Sequence, residues 1–170
     1  MVAITITEEA DMPDIRPCLW FDGQAQEAAE FYTAIFPNSR IVRTDRAASD
    51  YPNGHEGDLL TVEFELDGLT FTGLNGGPDF RFNEAVSFEI PCHDQAEIDR
   101  YWTALTADGG EESACGWLKD RFGVSWQVYP VQLNEMLRDD DADAARRTME
   151  AMLKMGKLEL DELQRAHDGV

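Results

Sequence analysis

Leu59-Leu60-Thr61-Val62-Glu63-Phe64-Glu65-Leu66-Asp67-Gly68-Leu69-Thr70-Phe71-Thr72-Gly73-Leu74-Asn75 is the stretch that decides the fold. From Leu59 to Leu66 polarity alternates. Val62, Phe64 and Leu66 fall on one face and Glu63 and Glu65 on the other, the period of a half-buried strand. Asp67-Gly68 follows, a dipeptide that suits a tight type I′ turn because both central positions need positive φ. Leu69–Asn75 is a second strand-like run, so the segment reads as a β-hairpin.

Upstream, Arg16–Phe21 is a short apolar run broken by Asp22-Gly23. Ala25, Ala28, Tyr32 and Ile35 then recur at threes and fours, predicting a helix that Pro37-Asn38 ends. Ser39–Thr44 reads as a strand, and polar residues 46–57 as a loop. Downstream the same order returns. Ala85–Ile90 alternates, with Val86, Phe88 and Ile90 apolar. Asp94 is positioned as a helix N-cap, with Glu97 as the acidic partner of a capping box. Ile98, Tyr101, Trp102 and Leu105 mark a helix that Gly109-Gly110 stops. Glu111–Cys115, Trp117–Lys119 and Ser125–Pro130 are strand candidates.

Two halves, about 16–78 and 83–130, thus share the order strand, helix, three strands, a weak internal repeat. Residues 1–15 read as a polar N-terminal arm, and 131–170 as a helical extension with helices over Leu133–Leu137, Ala142–Met155 and Leu160–Ala166. Ala145, Met149 and Met152 form one apolar stripe, expected to pack on the chain's own domain or on a second subunit; recruitment of another protein is the alternative.

Composition narrows the function. The 170 residues carry 34 acidic against 14 basic side chains, a formal net charge of −20. That surface repels nucleic acid and anionic lipid, keeps the protein dissolved, and would favour a cationic ligand. No run reaches the roughly 20 apolar residues of a membrane helix. Met1–Asp14 lacks a basic segment followed by an apolar one, so no secretory signal is read there and a cytoplasmic setting is the expectation. Three cysteines without C-x-x-C spacing argue against a disulfide scaffold or a zinc knuckle.

The residues Arg16-Pro17-Cys18-Leu19-Trp20-Phe21-Asp22-Gly23-Gln24-Ala25, Ala28-Ala29-Glu30-Phe31-Tyr32 and Phe36-Pro37 carry a further signal, joined by Leu74-Asn75-Gly76-Gly77-Pro78, Asn83-Glu84-Ala85-Val86-Ser87-Phe88 and Cys115–Gln127. Together they resemble the vicinal oxygen chelate superfamily (glyoxalase, bleomycin resistance proteins, dioxygenases). The similar branch is the PhnB-like one, often labelled demethylubiquinone methyltransferase. The resemblance spans Arg16 to Pro130. It implies an α+β fold of paired β-α-β-β-β modules forming an open barrel around a cavity, and commonly a homodimer.

Superfamily members place His or Glu on four strands to hold a metal that chelates substrate oxygens. By resemblance those positions fall near Pro17, Asn75, Ala85 and Gln127, to within about a residue. Pro17 and Ala85 have no side-chain donor, and neutral amides are poor transition-metal ligands. No metal and no cofactor are therefore expected. Alternation from these positions places Leu19 and Phe21 with Pro17, Phe71 and Gly73 with Asn75, Ser87 and Glu89 with Ala85, and Tyr129 with Gln127, as walls of a ligand cavity. Val86, Phe88, Trp126 and Val128 would face the helices.

Among these residues, Glu89 and Tyr129 are candidates for acid–base work, and Cys115 for a nucleophile if a base stood near it. The plainer readings are a solvated or paired Glu89 and a packed Cys115. Cys92-His93-Asp94 reads as a turn and helix cap, and His55 as a loop residue. Asn75-Gly76-Gly77-Pro78 reads as a linker, because a phosphate loop should lead into a helix N-terminus. A usual S-adenosylmethionine site needs a Gly-rich turn on a parallel sheet, which these hairpins do not supply. The expectation is a protein that binds a small organic molecule, with metal-independent catalysis in the same cavity, the methyltransferase label of the similar branch included, or partner recruitment by the extension as alternatives.

Overall fold

The computed structural model describes residues 15–170; the expected N-terminal arm lies, up to Asp14, outside the described residues. The chain divides into two compact units, residues 1–77 and 78–170.

In the first unit, β1 (Cys18–Phe21), α1 (Ala25–Ile35), β2 (Arg40–Arg46), β3 (Leu59–Leu66) and β4 (Leu69–Asn75) follow in order. The sheet order is β1-β4-β3-β2, with β1 parallel to β4 and the other pairs antiparallel. Asp67 (φ 44°) and Gly68 (φ 87°) both take positive φ, as the tight hairpin turn requires. Phe64 stands opposite Phe71, their rings stacked at 5.2 Å, and Tyr32 of α1 lies 6.0 Å from Phe64. These aromatics and Val62 are almost wholly buried, each contributing about 1.5–3 kcal/mol by leaving water. Gly73 admits the helix, since a Cβ there would lie 3.2 Å from the Cβ of Ala25.

Helix α1 begins without a capping side chain at Gln24. The Oδ1 of Asn75 accepts the Ala25 N–H (2.9 Å) instead, and its Nδ2 donates to the Leu59 carbonyl (3.0 Å). The last residue of β4 thus serves one of the amides that a helix start leaves open. At the other end Phe36 turns extended and Pro37 follows, so the helix cannot continue.

The second unit repeats the plan with β5 (Phe88–Cys92), α2 (Gln95–Thr106), β6 (Glu111–Glu112), β7 (Trp117–Lys119) and β8 (Ser125–Pro130), in sheet order β5-β8-β7-β6. The paired modules read from the sequence are present. Asp94 caps α2 by accepting the Glu97 N–H (2.9 Å), while Glu97 reaches back to the His93 N–H (2.8 Å). Ile98, Tyr101, Trp102 and Leu105 are the buried face of α2, packed over β5, β7 and β8.

Three sequence expectations shift here. The strand expected over Ala85–Ile90 runs over Phe88–Cys92, so Val86 precedes the ladder and is 70% exposed rather than facing a helix. The strand expected over Glu111–Cys115 ends at Glu112. Cys115 (φ 59°) and Gly116 (φ 82°) turn the chain there, and a Cβ at Gly116 would meet the Val128 carbonyl at 2.6 Å. The stripe expected on Ala145, Met149 and Met152 is rotated: Ala144 and Thr148 face inward and Met149 is exposed, while Met152 packs against the extension's core. Thr148 reads as polar, yet its hydroxyl donates to the Ala144 carbonyl (3.0 Å), which lets it be buried completely.

The extension forms α3 (Gln132–Leu137), α4 (Ala142–Met152) and α5 (Leu160–Asp168). Leu133, Met136, Met155, Leu158 and Leu163 make its core. It packs on the rest of the second unit. The amides of Cys115 and Gly116 donate to the carbonyls of Met155 and Gly156, both at 2.8 Å. Gln95 of α2 bonds the Leu158 carbonyl (3.2 Å) and the Leu160 N–H (2.8 Å), and Lys157 pairs with Asp99. Among the described residues, no helix is long and apolar enough to cross a membrane.

Candidate functional site

On the second sheet, alternation sends Ile90, Cys92, Leu118, Trp126 and Val128 toward α2, where all are buried. The opposite face is left to polar and aromatic groups arranged in two rows across the strands. Glu89, Gln127 and Trp117 stand in register on β5, β8 and β7. Ser125, Lys119 and Glu111 stand in register on β8, β7 and β6.

Side chains on this face also bond one another. Gln127 Nε2 donates to Ser87 Oγ (2.9 Å), and the Tyr129 hydroxyl lies 3.3 Å from Glu89 Oε2. Burial, then the negative charge of Glu89, pushes the Tyr129 phenol above its ordinary value. Such a phenol stays protonated and donates hydrogen bonds; it is a poor general base at neutral pH. Lys119 forms an ion pair with Glu84. The pair raises the lysine, with Glu111 adding to the effect, and lowers the Glu84 carboxyl.

Toward β6 this face opens on a cleft of about 430 Å³, lined by Glu84, Glu111, Cys115, Trp117, Lys119 and Ser125 among others. Ser125 is 2% exposed, and among the described residues its Oγ has no hydrogen-bond partner. A buried hydroxyl without a partner costs about 1–3 kcal/mol.

The cavity residues read from the sequence divide in two. Ser87, Glu89, Gln127 and Tyr129 come together on the face just described. Leu19, Phe21, Phe71 and Asn75 do not belong to a matching open face of the first sheet. Leu19, Phe21 and Phe71 are buried on its helix-packed side, and Asn75 is the anchor of α1. The correction follows from the hairpin register: Phe71 faces Phe64, which packs on Tyr32, and Asn75 shares the parity of Phe71. Trp117, Lys119, Ser125, Glu84 and Glu111 were missed, although the parity that joined Tyr129 to Gln127 also reaches Ser125.

Of the remaining candidates, Cys115 lies on the cleft wall. Cys92 is completely buried, and desolvation first, then Glu97, pushes its thiol up to about 12, which makes it inert. His93 sits in the turn before α2. His55 contacts Asp50 (3.5 Å) with both side chains exposed. Gly76 and Gly77 form no phosphate cradle, because both amides donate to the Phe21 carbonyl (3.0 and 3.3 Å).

The two strand-helix-three-strand modules, the second with a polar sheet face away from its helix, define a glyoxalase-like protein of the vicinal oxygen chelate superfamily. Residues 13–129 match the family described as 3-demethylubiquinone-9 3-methyltransferase, and the chain belongs to that family. It is 34% identical to a putative 3-demethylubiquinone-9 3-methyltransferase, PhnB protein, from Bacillus cereus, covering 68% of this chain and 98% of that one with a TM-score of 0.61. It also shares its fold with protein PA1353 from Pseudomonas aeruginosa, at 21% identity, covering 69% and 96% of the chains with a TM-score of 0.52. No curated protein matches the chain.

The superfamily implies a divalent metal, and the donor set does not fit one. Both polar atoms of Asn75 are committed to α1 and Leu59, and Gln127 is bonded to Ser87. Pro17 and Ala85 offer no side-chain donor. Among the described residues, no group of three or more His, Cys, Asp or Glu is placed to hold an ion. The family description implies S-adenosylmethionine, and the fit is equally poor for its usual parallel-sheet site. Among the described residues each sheet has a single parallel pair, and the amide that opens α1 is already taken by Asn75.

Proposed function

We propose that this protein binds a small organic molecule on the polar face of its second module, without a divalent metal. One observation carries the reading. The row Glu89–Gln127–Trp117 leads, through Lys119 and Ser125, into a cleft of about 430 Å³. That volume and the mix of one aromatic wall with a few hydrogen-bonding groups suit a small ligand. The binding reading stands above catalysis because the Tyr129–Glu89 pair offers a hydrogen-bond donor rather than a general base.

The test is a thermal-shift screen of a metabolite library against the protein in the presence of EDTA. A ligand confined to the native state raises the melting temperature by mass action. The expected result is a stabilising compound recovered unchanged after incubation, with the shift diminished in Gln127→Ala and Trp117→Ala. Recovery of a converted compound would make the protein an enzyme instead. Stabilisation that appears only with added divalent ion would overturn the metal-free part.

A further inference from the structure

We infer that the cleft takes a small organic cation, a protonated amine carried on an apolar or aromatic body, seated with its nitrogen at Ser125 and its body on Trp117. The inference rests on the binding reading above and adds the chemical class of the ligand. Two independent observations support it. One is charge: among the described residues Glu84 and Glu111 line the cleft against the single ammonium of Lys119, while the Glu112 carboxylate is engaged by the Trp102 indole N–H of α2 (2.9 Å). That ammonium is already matched by Glu84, so the remaining field is negative. The other is the unpartnered Oγ of Ser125, 2% exposed, on the same cross-strand row as Lys119 and Glu111.

A neutral ligand would satisfy the hydroxyl but leave the charge unanswered. An anion would satisfy the hydroxyl and meet the lysine, but only by displacing Glu84 and approaching Glu111. An ammonium donates to Ser125 Oγ and to the Glu111 carboxylate together, which are charge-assisted bonds. Trp117 stands beside Lys119 with the same parity on β7. Its ring face attracts a cation and shields the ligand body from water. The acidic surface of the whole chain concentrates cations near the cleft and repels anions.

The experiment compares three probes on one phenylethyl body, 2-phenylethylammonium, 2-phenylethanol and 3-phenylpropionate, by ¹⁵N-resolved NMR titration of the full chain. The signals followed are the Trp117 indole N–H and the amides of Lys119 and Ser125. The ammonium is expected to shift these signals saturably, the alcohol more weakly, and the carboxylate not at all. Ser125→Ala is expected to weaken the ammonium about tenfold, the cost of one hydrogen bond to a charged group, and the exposed substitution Glu111→Gln about threefold. Lys119→Met discriminates by sign: it removes the competing cation, so ammonium binding tightens. Carboxylate binding that Lys119→Met abolishes, or ammonium binding indifferent to both Ser125→Ala and Glu111→Gln, overturns the cation assignment and leaves the binding reading in place. Failure of all three probes to move any of these signals, together with an empty library screen, overturns both.

Discussion

Asn75→Ala separates the structural part of the first module from a ligand-binding role. The substitution removes two hydrogen bonds, to the Ala25 N–H at 2.9 Å and the Leu59 carbonyl at 3.0 Å. Ala25 is fully buried, so its amide would be left without water or partner at a cost of about 1–3 kcal/mol. The Leu59 carbonyl is half-buried and can recover a water, so its loss is closer to the ordinary net value of about 0.5–1.5 kcal/mol. Together the destabilisation is about 2–4 kcal/mol, a large share of the roughly 5–15 kcal/mol that holds a domain folded. Urea unfolding followed by far-UV circular dichroism should show the midpoint falling by about 1–2 M at unchanged slope. Binding at the second module, measured below the transition, should persist. A loss under about 0.5 kcal/mol accompanied by loss of ligand binding would refute the reasoning and return Asn75 to the cavity.

Leu163→Ala empties a fully buried position in the core of the extension and is expected to cost about 2–5 kcal/mol, read as the same midpoint shift. Cys92 gives a pH signature: the unfolded thiol ionises near its ordinary 9.0 while the folded one keeps its proton to about 12. The unfolded state therefore binds fewer protons across that window, and stability falls as pH rises from about 9. Cys92→Ala should flatten this slope between pH 8 and 10.5, and parallel slopes for the two proteins would contradict it. The Tyr129 phenol should titrate above the usual tyrosine range in a 295 nm absorbance difference between wild type and Tyr129→Phe. Glu89→Gln should bring it only part of the way down, because burial is the larger cause.

The elements were legible because each is written twice in the chain, once in its periodicity and once in its punctuation. Leu59–Leu66 and Leu69–Asn75 were placed to the residue by alternation and by Asp67-Gly68. The open face of the second module was legible for the same reason: Trp126 and Val128 contrast sharply with Gln127 and Tyr129. On β1 and β4 the contrast fails. Cys18, Trp20 and Leu74 are apolar on the far side too, so Leu19, Phe21 and Phe71 could be assigned to either face. The hairpin held the answer, since Val62, Phe64 and Leu66 oppose Gly73, Phe71 and Leu69 across it. What no local pattern could show was the long-range service of Asn75 to Ala25, fifty residues away, or the exposure of Val86, which depends on where the ladder starts.

The extension meets the cleft wall through main-chain atoms, the amides of Cys115 and Gly116 on the carbonyls of Met155 and Gly156. The bonds themselves use only peptide groups, which every residue carries, while side chains fix the letters at Gly116, where a Cβ would meet the Val128 carbonyl at 2.6 Å, and at Met155, which belongs to the extension's core. This clasp is sensitive to spacing: one residue inserted or deleted between α4 and α5 would carry Met155 and Gly156 out of step with their donors. Homologues that keep the wall in place should therefore hold the number of residues between α4 and α5 constant.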